Sequence, residues 1–160
     1  MKIRNLVAED FVNYKKPSMF IITCYCDFKC CHELGIDESI CQNEPLVQSE
    51  IKELSNAYFY DFYSSNPITK SIVFGGLEPF LQFEELLSFI QYFRDRNCLD
   101  DIVIYTGYYK EEIEDKIQKL QEYPNIIIKY GRFIPNQESH FDEILGVKLA
   151  SENQYAEKIS

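Results

Sequence analysis

The cysteines are the residues whose type and spacing point most directly to chemistry. Five of the six lie within residues 24–41, and the sixth, Cys98, is remote. Cys26 and Cys30 are separated by three residues, a loop length that can present two thiolates to different irons of an iron–sulfur cluster. A secreted disulfide scaffold would spread its cysteines through a short, loop-rich chain, whereas this chain concentrates them within a core-rich sequence. The segment therefore predicts a metal site and favours iron–sulfur.

A zinc site is the alternative use of the same thiols. Sulfur ligands suit zinc as well as iron, and four of the five clustered cysteines, with or without His32, would complete a tetrahedral site. Zinc sites more often pair C-x2-C motifs, and this sequence has none. The number of ligands also matters. Three thiolates leave one iron of a four-iron cluster open to an exogenous molecule, and a fourth thiolate closes it.

Alternating apolar runs indicate the elements that must position these thiols. Short runs at 18–23, 71–74, 101–105 and 125–128 predict buried strands, and residues 3–7 predict a short edge strand. Helical spacing predicts helices over 49–64, 83–96 and 110–122. In the first helix Ile51, Leu54, Tyr58 and Phe62 stand at helical spacing. Strand–helix alternation predicts an α/β domain with a mainly parallel sheet and right-handed crossovers.

Three chemically suggestive segments each follow a predicted strand. They are the cysteine segment, Gly75-Gly76 and Thr106-Gly107. Ligands of parallel sheets gather at the carboxyl ends of the strands. We therefore expect these three segments to meet at one edge of the sheet.

Composition limits the function classes. The chain of 160 residues fits a single domain spanning 1–160. Its net charge of −10, from 26 acidic and 16 basic residues, argues against a duplex nucleic-acid binder. No window approaches the roughly 20 apolar residues of a membrane span, and the first residues lack a signal-peptide core. We therefore expect a cytoplasmic protein that binds neither nucleic acid nor membrane.

The cysteine segment resembles that of the radical S-adenosylmethionine enzymes. Residues 26–30, Cys-Asp-Phe-Lys-Cys, resemble the first part of their C-x3-C-x2-C signature, although Glu33 occupies the place of the third cysteine. Cys41-Gln42-Asn43 resembles the Cys-His-Asn that carries the third ligand in anaerobic ribonucleotide reductase activating proteins. The resemblance implies a C-x3-C-x10-C ligand set of Cys26, Cys30 and Cys41, with Cys24 and Cys31 as alternates.

Two later motifs occur in the order found in that family. Residues 75–79, Gly-Gly-Leu-Glu-Pro, resemble the Gly-Gly-Glu/Asp-Pro motif that contacts the amino group of S-adenosylmethionine, with one extra residue. Residues 101–108 resemble the later strand and Thr-Gly-Tyr turn of the activating proteins, and 150–154 are similar to their Ser-Ser-Asn-Gln ending. The resemblance implies cofactor contacts from Gly75, Gly76, Glu78 and Thr106. Tight-turn glycines, a helix-capping carboxylate and ordinary turn chemistry remain the alternatives.

The resemblance also implies a fold and an activity. The fold would be a partial (βα) barrel, and the protein an oxidoreductase that cleaves S-adenosylmethionine reductively at a [4Fe–4S] cluster to a 5′-deoxyadenosyl radical. The implied partner is a large glycyl-radical enzyme such as anaerobic ribonucleotide reductase, with electrons from a reductant such as flavodoxin or ferredoxin. The alternatives are a radical enzyme that modifies a peptide or protein, and a non-catalytic binding module stabilised by a cluster or by zinc.

Overall fold

The computed structural model describes residues 1–160 and contains ten strands and five α-helices. The strands are β1 (Lys2–Ile3), β2 (Asn5–Asp10), β3 (Ser18–Ile22), β4 (Lys52–Glu53), β5 (Ser71–Gly75), β6 (Asp101–Tyr105), β7 (Ile126–Tyr130), β8 (His140–Asp142), β9 (Val147–Leu149) and β10 (Tyr155–Lys158). The helices are α1 (Lys29–Leu34), α2 (Glu44–Val47), α3 (Asn56–Ser64), α4 (Phe83–Arg94) and α5 (Glu114–Leu120). Short 3-10 turns occupy Glu38–Ile40, Pro79–Gln82 and Lys110–Glu112.

Six strands form the central sheet in the order β10-β7-β6-β5-β3-β2. The inner four, β3, β5, β6 and β7, run parallel and lie side by side in chain order. They include the four buried strands that the apolar runs predict. The outer strands are antiparallel, β2 to β3 and β10 to β7. The protein is thus α/β with a mixed, mostly parallel sheet, and its closure into a partial barrel stays a prediction.

The two faces of this sheet have different covers. Helices α3, α4 and α5 pack on one face, where alternate strand residues such as Ile21, Phe74 and Ile104 join a core of 21 buried residues. The other face presents Val73, Val103 and Ile127. A second cluster covers it, with residues from the β2–β3 connection and the β8–β9 hairpin: Tyr14, Leu145 and Leu149. Burial on both faces explains why the strand sequences are continuously apolar. No helix is long and apolar enough to cross a membrane.

The helix predicted over 49–64 is wrong in its first seven residues. Helix α3 begins at Asn56, because the Ser55 hydroxyl accepts a hydrogen bond from the Tyr58 N–H at 3.1 Å and caps it. Residues 52 and 53 instead form β4, which pairs with β1. Two of the residues at helical spacing, Ile51 and Tyr58, are 45% and 47% exposed, whereas Phe59 is fully buried.

Candidate metal site and adjoining cavity

A cavity of about 480 Å³ lies at the carboxyl ends of the four parallel strands. It is lined by residues from the connection after each strand, among them Cys26 after β3, Gly76 after β5, Thr106 after β6 and Gly131 after β7. The structure therefore brings together the three segments that strand alternation predicts at this edge.

Three thiols, those of Cys26, Cys30 and Cys41, line this cavity and are partly exposed. The chain reverses at Phe28, which has a left-handed φ of 50° and whose N–H donates to the Cys26 sulfur at 3.4 Å. That reversal starts α1, which carries Cys30. Gly35, with φ 63°, ends α1 and turns the chain back towards Cys41. Two left-handed residues thus direct three separate thiols towards one space.

Interaction between neighbouring thiols changes how readily each one ionises. The Cys30 thiol lowers the pKa of Cys41, and Cys41 in turn raises the pKa of Cys30. Burial raises the pKa of Cys26 to about 12. The thiolate is the metal ligand, and the lowered pKa of Cys41 makes it the member of this pair that ionises first. Metal binding releases the remaining protons.

The two alternate cysteines lie outside the cavity wall. Cys24 is fully buried, and its backbone N–H donates to the Gln82 side-chain oxygen at 2.6 Å. Cys31 is buried with its sulfur 3.9 Å from that of Cys30. No three His, Cys, Asp or Glu side chains are close enough together to bind a single metal ion.

Glu78 connects two of the converging segments. Its buried carboxylate accepts hydrogen bonds from the Thr106 hydroxyl at 2.8 and 2.9 Å, the Gly107 N–H at 2.9 Å and the Phe80 N–H at 3.0 Å. Burial raises the pKa of Glu78 to about 7, although these hydrogen bonds act in the opposite direction. The capping role foreseen as an alternative is therefore present, at the start of the 3-10 turn Pro79–Gln82. Glu78 and Thr106 nevertheless both line the cavity.

The paired glycines have different surroundings. Gly76 lines the cavity with φ 77°, and a Cβ there would lie 2.8 Å from the Ile22 methyl carbon. Both conformation and space therefore require glycine at that position. Gly75 does not line the cavity; a Cβ there would lie 3.2 Å from both the Phe20 ring and the Tyr105 Cβ. Close packing between neighbouring strands accounts for Gly75.

Lys129 is a cavity residue that the sequence reasoning missed. It lies on β7 and is only 6% exposed, and its ammonium makes one hydrogen bond, to the Gly131 carbonyl at 2.9 Å. Burial lowers the pKa of Lys129 to about 8, while nearby Glu78 and Cys30 act in the opposite direction. A charged residue directly after the apolar run Ile126–Ile128 is the signal that could indicate it. The predicted strand ends at Ile128, so Lys129 falls outside the predicted strand.

The turn at 150–154 braces the same wall. Gln154 lines the cavity and donates to the Gly131 carbonyl at 3.3 Å. Its side-chain oxygen accepts the backbone N–H groups of Ala150 and Ser151, both at 3.1 Å. The turn therefore helps to hold the carbonyl that also binds Lys129.

An α/β sheet with three thiols at the carboxyl ends of its strands defines a class of cysteine-ligated metal proteins. Residues 17–155 match the family described as the 4Fe-4S single cluster domain, and the chain belongs to that family. It has no significant match among curated proteins or among solved structures. The donor set fits the cluster, since thiolates are the usual ligands of [4Fe–4S] and three of them face one open space.

Proposed function

We propose that this protein is a radical S-adenosylmethionine enzyme in which Cys26, Cys30 and Cys41 bind three irons of the cluster. The observation that carries the proposal is the cavity itself, whose wall contains these three thiols and no fourth. A set of three ligands leaves one iron available to a small molecule. When bound and reduced, such a cluster supplies the electron that cleaves S-adenosylmethionine to methionine and a 5′-deoxyadenosyl radical.

Charges in the cavity wall complement the methionyl end of S-adenosylmethionine. Glu78 presents a buried carboxylate suited to the methionyl ammonium, and that cation favours the ionised form of a group whose pKa burial has raised. Lys129 presents a buried ammonium with one hydrogen bond, so two of its N–H groups are free for the methionyl carboxylate. A buried cation that forms no ion pair is costly, which favours an occupant that supplies an anion.

The remaining cavity residues restrict what can bind. Gly76 contributes only backbone atoms to the wall. Phe20, Tyr105 and Phe133 contribute aromatic surface to the wall. A volume of about 480 Å³ lies within the usual range of small-molecule sites, and apolar walls exclude water from reactive intermediates.

The proposed substrate is a glycyl-radical enzyme of the anaerobic ribonucleotide reductase type, with flavodoxin or ferredoxin as the reductant. Support comes from the ordered likeness of the cysteine segment, residues 75–79 and residues 101–108 to the activating proteins. A radical enzyme that modifies a peptide or another protein would use the same cavity.

A non-catalytic binding module is the second candidate, and two departures from the family pattern favour it. Glu33 stands at the usual place of the third cysteine, and Leu77 lengthens the glycine motif. Leu77 is nonetheless buried and lines the cavity, so the insertion leaves that wall continuous.

Anaerobic reconstitution with iron and sulfide, followed by dithionite and S-adenosylmethionine, tests the proposal. We expect a brown protein with about four irons per chain that releases 5′-deoxyadenosine. A cluster without 5′-deoxyadenosine would support the binding module, and stoichiometric zinc in a colourless protein would contradict a cluster. A glycyl-radical signal in electron paramagnetic resonance, after addition of a candidate reductase, identifies the partner.

A further inference from the structure

Glu33 does not face the cavity, although it lies three residues after Cys30 on the same helix. Its carboxylate forms a two-point ion pair with Arg132, with Oε2 at 2.8 Å from Nε and Oε1 accepting from Nη2 at 2.9 Å. The position where the family pattern has a cysteine therefore connects α1 to the connection after β7, at the far side of the cavity.

Arg132 lies between two carboxylates, although its Nε, close to Glu33, donates no hydrogen bond. Its second edge donates to Glu112, from Nη1 to Oε2 at 2.8 Å and from Nη2 to Oε1 at 2.7 Å. The guanidinium is 4% exposed and lies 4.6 Å from the centre of the Tyr109 ring. The contact with Glu112 has the two parallel hydrogen bonds that make an ion pair strong and directional. Unlike Lys129, Arg132 has a carboxylate at each edge of its guanidinium, so its role is to hold chain segments together.

Lys29 completes an alternating ring of charges. Its ammonium contacts Glu112 and lies 4.0 Å from the Glu33 carboxylate. Lys29 directly precedes Cys30, and both Lys29 and Arg132 line the cavity. Two cations and two carboxylates thus surround the base of the helix that carries a proposed cluster ligand.

Helix α1 has few other anchors. It contains six residues, of which only Cys31 is buried, and its N-cap, Phe28, makes no side-chain capping hydrogen bond. A helix this short is not stable by itself. Its placement therefore depends on contacts at its surface, among them the two-point contact of Glu33 with Arg132.

We propose that Arg132 is a positioning residue. Through Glu33 it anchors α1 and holds Cys30 at the cavity wall. In a chain with a cysteine at position 33, an iron–thiolate bond would anchor that residue instead. This inference rests on the ligand role proposed for Cys30. The Glu33–Arg132 pair positions α1, and Cys41 remains the third proposed cluster ligand.

The test compares Glu33→Gln, which keeps the shape of the side chain and removes its charge, with Glu122→Gln as a matched control. Glu122 is exposed, follows α5 and forms no side-chain hydrogen bond or ion pair. Amide hydrogen exchange over residues 30–36 in the metal-free protein should accelerate about threefold to tenfold in Glu33→Gln and remain unchanged in the control. Iron loss from the reconstituted protein to a chelator should accelerate by a similar factor.

A double-mutant cycle separates this pair from a general effect on stability. Arg132→Gln should accelerate exchange, and adding Glu33→Gln to it should have little further effect, because the two residues act through one contact. Unchanged exchange and iron loss in Glu33→Gln would overturn the inference. If the wild-type protein takes up no cluster, the proposed function fails, and exchange in the metal-free protein still decides whether the pair anchors α1.

Discussion

The helix-covered face of the central sheet and the edge that carries the cavity differ in what they bury. On the helix-covered face Phe89 stacks on Phe93 at 4.3 Å and meets Phe74 edge-on at 4.9 Å, and all three rings are fully buried. At the cavity the buried groups include the Glu78 carboxylate and the Lys129 ammonium. The first region stabilises the fold through apolar burial, and the second keeps charged groups away from water at a cost in free energy.

The pKa values of the two buried charged groups show the same cost of burial at the cavity. Burial raises the pKa of Glu78 to about 7 and lowers that of Lys129 to about 8, so each charge is disfavoured where it stands. Groups perturbed in this way concentrate at functional sites. The difference supports the proposal that the cavity edge binds a ligand whose charges compensate those of its wall. Substitutions in the two regions should therefore have different consequences.

Replacing Cys30 should have the largest effect on iron binding and little effect on the stability of the fold. Cys30→Ala should reduce iron from about four per reconstituted chain to near zero, because a ligand is lost. Its metal-free stability should change by less than about 1 kcal/mol, because the side chain is partly exposed. Iron analysis and denaturant unfolding measure both. Cys98→Ala, outside the cavity, is the control that should keep its iron; full iron in Cys30→Ala would exclude Cys30 as a ligand.

Moving the third thiol tests the geometry of the cavity. Cys41→Ala should also lose iron, and adding Glu33→Cys should not restore it, because residue 33 faces Arg132 and not the cavity. Glu33→Gln in the same background controls for loss of the ion pair. Recovery of about four irons per chain with Glu33→Cys would show that α1 can present this position to the cluster.

Truncating Phe89 should affect stability and spare the cavity. Phe89→Ala should lower the free energy of unfolding by about 3–5 kcal/mol, because it removes a fully buried ring. Tyr58→Ala, at a ring that is 47% exposed, should cost less than about 1 kcal/mol. Denaturant unfolding of the metal-free proteins measures both. Equal losses would mean that the aromatic stack does not dominate this face.

Removing the buried cation should increase the stability of the protein, whereas truncating Phe89 lowers it. Lys129→Met should raise the stability of the metal-free protein at pH 7 by about 1–2 kcal/mol, because an ammonium no longer has to be desolvated. The same variant should weaken S-adenosylmethionine binding to the reconstituted protein. Denaturant unfolding and equilibrium binding provide the two readouts. Lower stability together with unchanged binding would make Lys129 a structural residue.

The pH dependence of that gain follows from the lowered pKa. Between pH 8 and 10.5 folded Lys129 has lost a proton that the unfolded chain still binds, so wild-type stability rises with pH relative to the variant. The advantage of Lys129→Met should be complete below about pH 8 and fade towards pH 10.5. Unfolding of both proteins across this range measures the difference, and an advantage independent of pH would contradict the explanation.

The local sequence is sufficient to predict the four parallel strands, but it does not predict where helix α3 begins. The parallel strands are short apolar runs because both faces of the sheet are buried, and that pattern is readable without structure. Residues 49–55 continue a helical spacing, but Ser55 caps the helix and residues 52 and 53 pair with β1, about fifty residues earlier. Pairing over such a distance leaves no local signal.

The order of residues places thiols, a glycine pair and a Thr-Gly turn after successive strands, and parallel pairing then requires them to share one edge. Which thiols face the cavity depends on the three-dimensional fold, because the left-handed turns at Phe28 and Gly35 set the direction of the chain on either side of α1. The fold alone also decides the roles of Lys129 and Arg132. Their importance comes from burial and from partners up to about a hundred residues away, such as Glu33, and no local pattern encodes either.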